Sequence, residues 1–582
     1  MEGTQLLALN TPLAFTVLGL HLWDFVTLVV YLVVITGMGL WAARKVHTVR
    51  DFFMPRRFGK AMMIMHSFGT GTHSDQAVGV ASKTFTNGLS GIWYQWLWLF
   101  CTPFYWLIAP FMKRFRAITC GDAFEARYDK GVAGLYAIVG MAQLTLNIGI
   151  MLKGSGEVIG ASTGGMVSPH VAIAVMTTLF VIYGIAGGLS AAIVTDFLQG
   201  IMTILFSFLL LPFVLRAVDG ISGLRAAIDA KMFSLVAPDE ITAFYIVVIA
   251  FNALVGIVVQ PHTLGICAAG KTEMEGRVGF MCGTLVKRVC TIAWCLTGLA
   301  AVAYFAGKDV KPDAVYGTMA REFLPQIGAG LLGVFLAALL ASVMSSCDSF
   351  MTATSGLFTQ NIYRPLFPQS SQKTLLLVGR IASFAVVAGG VVFAYTVPGI
   401  VKALEIFWKM AAMMGIAFWL GLFWRRASVV GAWASVLSSF AAWWVSTQGF
   451  FIEAAARLPH LSGAPFVWGT GADAHLYLPW QMLFYLVVGT VVGVVVSLLT
   501  RPVAREKLDN FYALTRTPIV RGEEPGEPCT IPEGTETLPR RSLLPFASLE
   551  IPVPSLTSVA GFAVGWACVA ALIGAFLLIA KG

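Results

Sequence analysis

Apolar runs of about 20 residues recur through nearly the whole of this chain, and a run of that length is what a helix needs to cross the hydrocarbon of a bilayer. Fourteen are readable, near 22–43, 60–82, 89–112, 132–154, 167–186, 190–217, 241–268, 279–306, 327–358, 373–396, 399–423, 428–447, 477–500 and 558–580. Of the 582 residues 57% are hydrophobic and 12% charged, about half the charge share of an average soluble domain. Hydrocarbon offers no water to exposed backbone groups. The expectation is therefore an all-α integral membrane protein. The weakest spans are 60–82 and 241–268, where glycine and polar residues interrupt the apolar run.

Lysine and arginine in short loops set the orientation. Residues 44–60 carry Arg44, Lys45, Arg50, Arg56, Arg57 and Lys60, and residues 113–130 carry Lys113, Arg114, Arg116, Arg127 and Lys130. Lys271, Arg277, Lys287 and Arg288 flank the seventh loop, and Arg364, Arg425 and Arg426 follow later spans. An outside N-terminus puts all of these inside, and fourteen spans return the C-terminus to the outside. The formal charge of +9 is then explained by inside loops that face anionic membrane lipid, not by nucleic acid. The nine cysteines are scattered, with no CxxC pair, and read as small buried hydrophobes. The first twenty residues lack a basic stretch of the signal-peptide kind. Residues 501–556 mix charges with Pro518, Pro525, Pro528, Pro532 and Pro539. They read as a cytoplasmic linker with one short helix near 503–513.

Irregular backbone at mid-membrane must line a cavity or be buried in protein. The second span holds two glycines and a dense polar run, Ser67 to Gln76. The seventh contains Asn252, Gly256 and then Gln260-Pro261-His262, where proline breaks the helical ladder. The two lie five spans apart. That is the separation of the first helices of two five-helix repeats, and paired broken helices point to a transporter binding site. Glycine is also simply common in membrane helices.

The ninth span reads Ala341-Ser342-Val343-Met344-Ser345-Ser346-Cys347-Asp348-Ser349. At 100° per residue Ser342, Ser345, Ser346 and Ser349 share one stripe, with Asp348 about 60° to its side. Hydroxyls are hard, neutral ligands that suit a cation which must bind and then leave. Small residues also let helices pack closely. Asp348 and Asp196 are acids inside spans, which are expensive and functional by default. Gln95 sits among Trp93, Tyr94, Trp96 and Trp98, as a site residue or in an aromatic belt. No nucleotide motif or phosphate-cradling loop is present, which argues against an ATP-driven pump, and no clustered nucleophile or metal set suggests an enzyme.

The run Gly187-Gly188-Leu189 through Thr195-Asp196 and Gln199 resembles the signature of the sodium:solute symporter family. So do the ninth-span serines followed by Phe358-Thr359-Gln360-Asn361-Ile362-Tyr363-Arg364, and Gly421-Leu422-Phe423-Trp424-Arg425-Arg426. The resemblance runs from about residue 20 to 445. It implies a leucine-transporter-type core of five plus five helices in inverted repeats, each with a broken first helix. The first helix would be 22–43, repeat one 60–217, repeat two 241–423, extra helices 428–500, the linker 501–556 and a C-terminal helix 557–582. It also implies a sodium site made by backbone oxygens of Gly69, Thr72 and Ser342 with the hydroxyls of Ser345 and Ser346. A further cation site would use Asp196, Ser346 and Ser349, with Asp348 standing where relatives often carry a hydroxyl. Gln76 matches a substrate-contacting position of sugar-transporting relatives, whereas Gln260-Pro261-His262 is similar to the proline-transporting branch.

The expected function is sodium-coupled import of a small organic solute, an amino acid such as proline or an organic acid, by alternating access across a plasma or bacterial inner membrane. Candidate solute contacts are His73, Ser74, Asp75, Gln76, Gln95, Asn252 and Gln260. A transporter-like solute sensor and a proton-coupled symporter remain alternatives.

Overall fold

The computed structural model describes residues 16–46, 48–237, 241–396, 399–458, 465–469, 471, 474–520, 522–523 and 526–581. Among them the fold is helical apart from two short hairpins. In chain order the main helices are α1 (Leu22–Ala43), α2 (Lys60–Gly71), α3 (Ser74–Asn87), α4 (Thr102–Arg114), α5 (Lys130–Ser162), α6 (Pro169–Leu209), α7 (Ala243–Ile257) and α8 (Pro261–Ala268). They continue with α9 (Glu273–Tyr304), α10 (Leu331–Leu357), α11 (Gln372–Thr396), α12 (Ile400–Phe423), α13 (Val429–Val445), α14 (Leu478–Leu499), α15 (Arg505–Arg516) and α16 (Leu556–Lys581). A helix occupies each of the fourteen expected segments. Among the described residues nine helices are long and apolar enough to cross a membrane, or up to eleven if each of two bent pairs counts as one span.

The expected second span is two helices. Thr72 and His73 are extended between α2 and α3, where glycine and β-branched threonine make a poor helix. The seventh span breaks between α7 and α8, which meet at 70°. Pro261 opens α8 and forces extended backbone on Gln260 before it.

The spans expected at 167–186 and 190–217 are joined without a loop. One helix runs from Pro169 to Leu209, interrupted at Gly188, whose φ of 55° is left-handed. A Cβ there would lie 2.5 Å from the Phe52 carbonyl oxygen. Glycine is therefore required on both counts. Ser190, just past the turn, donates to Asp51 O at 2.6 Å, which ties this corner to the basic loop after α1.

The span expected at 89–112 also differs. A 3-10 turn and a short helix carry Gly88–Trp96, and the long helix α4 starts only at Thr102. Burial sorts the helices by place: α10 is 89% buried along its most apolar stretch and α16 only 17%. The serine-bearing helix is thus interior, and the last helix is peripheral.

Of residues 501–556, expected as a linker, the described ones pack against the basic loops. Leu508, Phe511, Tyr512 and Leu514 of α15 are buried. Arg116 Nε meets Glu523 Oε1 at 2.6 Å with both side chains nearly buried, and Arg425 meets Glu550 at 2.6 Å. The acids of the tail thus answer the cations of the loops.

Candidate functional site

The break in α2–α3 faces α10 and the second half of α6. Gly69 makes this approach possible, because a Cβ on it would stand 2.6 Å from Ser345 Oγ. Ser346 Oγ donates to Gly69 O at 3.0 Å and to Ser342 O at 3.3 Å. Thr72 N donates to the same Gly69 oxygen at 3.3 Å. Ser345 Oγ donates to Asp196 Oδ1. The other carboxylate oxygen of Asp196 takes His66 Nδ1–H at 2.6 Å, and Thr70 Oγ1 bridges His66 to Ser349 Oγ, 2.9 Å away. Asp196, Ser342, Ser345 and Ser346 are all fully buried.

Asp196 lies eight residues past the Gly188 corner, about 12 Å up the helix. That puts it inside the protein and not at the rim. Asp348 points elsewhere. Its Oδ1 sits where a Cβ on Gly184 would come within 2.5 Å, against the first half of α6. The two acids therefore have separate neighbours.

A second polar region lies beside this one. A small cavity of about 60 Å³ is lined by both breaks and by α9, including Ser67, His73, Gln76, Gln260 and His262. Of the expected solute contacts, His73, Gln76 and Gln260 reach it. Gln76 Nε2 bonds His73 Nε2 at 3.0 Å, and His73 Nδ1 bonds Asp75. Ser74 and Asp75 turn toward α5, Ser74 on Ser155 Oγ at 2.5 Å and Asp75 against Gly154. Asn252 is held by Tyr485 and by Trp408 O, so it joins helices and does not line the cavity. Gln95 contributes its main-chain oxygen to Arg288.

Lys287 and Arg288 do not flank a loop. They lie fourteen and fifteen residues into α9, 8% and 2% exposed, and both line the cavity. Two adjacent charges in the middle of an apolar run were the available signal. Asn147 of α5 and His66 of α2 are further polar groups at these two regions.

Paired broken helices around a buried polar cavity, with a hydroxyl-lined interior helix against one break, define a secondary transporter. The family model described as the sodium:solute symporter family matches residues 52–438, and the chain belongs to that family. It is a sodium-coupled symporter of a small solute, not an enzyme, and a multi-pass protein of a plasma or bacterial inner membrane. It is 24% identical to the sodium/pantothenate symporter of Escherichia coli (strain K12), over 70% of this chain and 87% of that one. With the high-affinity proline transporter PutP of Bacillus subtilis (strain 168) it shares 26% over 69% and 87% of the two chains. With human sodium/myo-inositol cotransporter 2 it shares 24% over 91% and 85%. A solved Na+-coupled sialic acid symporter, substrate-bound and outward-open, matches 83% of this chain and 99% of its own at 19% identity and a TM-score of 0.67, which shows the fold.

Proposed function

We propose that sodium binds between α2 and α10 at Gly69 O, Thr72 O, Ser342 O, Ser345 Oγ and Ser346 Oγ, and that solute binds in the adjoining cavity. The observation that carries this reading is the contact of Ser346 Oγ with Gly69 O at 3.0 Å, beside Ser345 on Asp196. Oxygens from a broken helix and an interior helix meet at one buried point, next to a carboxylate. Neutral oxygens suit a hard cation that is released in every cycle. An ion there ties α2 to α10 and so favours one arrangement of the core. Its inward movement contributes about 2.3 kcal/mol per charge per 100 mV. The solute is a small amino acid such as proline or an organic acid, in keeping with the relatives named for proline and pantothenate, though not with the one named for myo-inositol.

The test is uptake by purified protein in vesicles. Uptake driven by an inward sodium gradient, and lost in potassium or choline at fixed pH, is expected. Binding of solute without any uptake would make the protein a sensor instead.

A second reading concerns the further cation site. His66 Nδ1 on Asp196 Oδ2 at 2.6 Å places a titratable pair where a further sodium would sit. A proton held by this pair would take the place of that ion. Sodium-driven uptake with a pH-independent charge-to-solute ratio would exclude the proton.

A further inference from the structure

Lys287 and Arg288 stand in the cavity about 21 Å along α9, and sodium binding makes no use of them. Lys287 Nζ donates to Gly71 O, the last carbonyl of α2. An ammonium carries three donors. Gly71 O is the one protein acceptor that this one finds among the described residues. Arg288 donates to Gln95 O, and its Nε is buried with no hydrogen-bond partner among the described residues. The Trp98 ring lies 5.6 Å from Lys287 Nζ and 5.9 Å from Arg288 Cζ. Asp75 lies across the break, with Oδ1 bonded to His73 and Oδ2 without a hydrogen-bond partner among the described residues. Two basic side chains and one acid leave one basic side chain over.

Four more lining residues carry buried polar atoms without a hydrogen-bond partner among the described residues: Ser67 Oγ, Gln76 Oε1, Asn147 Oδ1 and His262 Nδ1. Buried polar groups are rarely left so: Ser67 Oγ and, in one tautomer, His262 Nδ1 can donate to a ligand, whereas Gln76 Oε1 and Asn147 Oδ1 are acceptors that water or a ligand hydroxyl would meet. The rest of the lining is largely apolar and includes Tyr105, Ile257, Ile266, Phe280, Phe350 and Phe407.

We propose that the solute is a small monocarboxylate with an apolar tail, its carboxylate held by Lys287 and Arg288 and its tail by the aromatic wall. This rests on the reading of the cavity as the solute site. A neutral sugar would bring no counter-charge to the two basic side chains in a low-dielectric site. A zwitterion would bring an ammonium group to two basic side chains, and Asp75 does not line the cavity to receive it. A single carboxylate balances the charge and accepts several of the free donors.

The test is calorimetric titration of the purified full-length protein in saturating sodium. The ligands are propionate, lactate and pyruvate, the neutral amides propionamide and lactamide, and the zwitterions alanine and proline. At least one carboxylate should bind, with the matching amide and both zwitterions at least about ten-fold weaker. Lys287→Gln should weaken the carboxylate at least about ten-fold, and Lys287→Arg should keep most of the affinity. The acid-against-amide comparison needs no variant, so misfolding of Lys287→Gln does not decide the matter. The proposal is overturned if no carboxylate binds, if an amide or zwitterion matches its acid, or if a folded Lys287→Gln binds as the wild type does. Uptake in vesicles separates the two readings. A carboxylate that binds but is not taken up defeats the transport site and keeps the ligand. Sodium-driven uptake of a zwitterion or amide, preferred over its acid, defeats the ligand and keeps the transport site.

Discussion

Ser345 and Ser346 are neighbours on one helical turn, yet they bond to different partners, and this orders the effects of removing them. Ser346→Ala deletes a hydroxyl from a backbone oxygen that also accepts from Thr72 N. The loss is about 1 kcal/mol, a rise of about five-fold in half-saturating sodium. Ser345→Ala also strands a buried carboxylate oxygen of Asp196, which costs about 1–3 kcal/mol more. Its sodium requirement should rise further than that of Ser346→Ala, and uptake titrated against sodium in both variants checks the order. Gly69→Ala should be worse still, because the new Cβ meets Ser345 Oγ, whereas Gly71→Ala meets nothing within 4 Å and should leave the fold intact. Asp196 and Asp348 should separate in electrical recordings. Asp196→Asn lowers the charge moved per solute, because that carboxylate holds the serines. Asp348→Asn leaves the ratio unchanged, because Asp348 lies against Gly184.

At the scale of elements, the breaks are the working parts and their causes are local. Pro261→Ala restores the missing donor and relaxes Gln260, so the 70° bend between α7 and α8 should open. We expect normal yield and melting with uptake lost, measured together on the same preparation. Gly188→Ala should instead lower melting and yield, since it combines a left-handed φ with a clash against Phe52 O. These elements were legible in the sequence, because lipid tolerates broken helices only where protein covers them. The glycines near Thr72 and the proline after Gln260 announced where the helix stops. Other features were not legible. The Ser345–Asp196 contact joins residues 149 apart, and no local pattern states which face of one helix meets which face of another. Lys287 and Arg288 were misassigned because counting basic residues near a loop ignores how far along a helix they lie. Asn252 looked available in the broken span, but Tyr485, far along the chain, holds it.

Across the whole molecule, the core carries transport and the tail fastens its basic face. The Arg116–Glu523 pair is 2% and 7% exposed, and removing one partner of a buried pair leaves the other without compensation. Glu523→Gln should therefore loosen residues 501–555, which limited proteolysis would reveal, while the sodium requirement stays as it was. The central claim is that sodium binds between α2 and α10, and it is tested most directly without knowing the solute. Equilibrium binding of radiolabelled sodium to the purified protein should saturate and be displaced by unlabelled sodium but not by potassium. It should weaken in Ser346→Ala and fall to background in the Ser345→Ala/Ser346→Ala double variant. Saturable binding that is unchanged in the folded double variant, or no saturable binding in the wild type, would contradict the account.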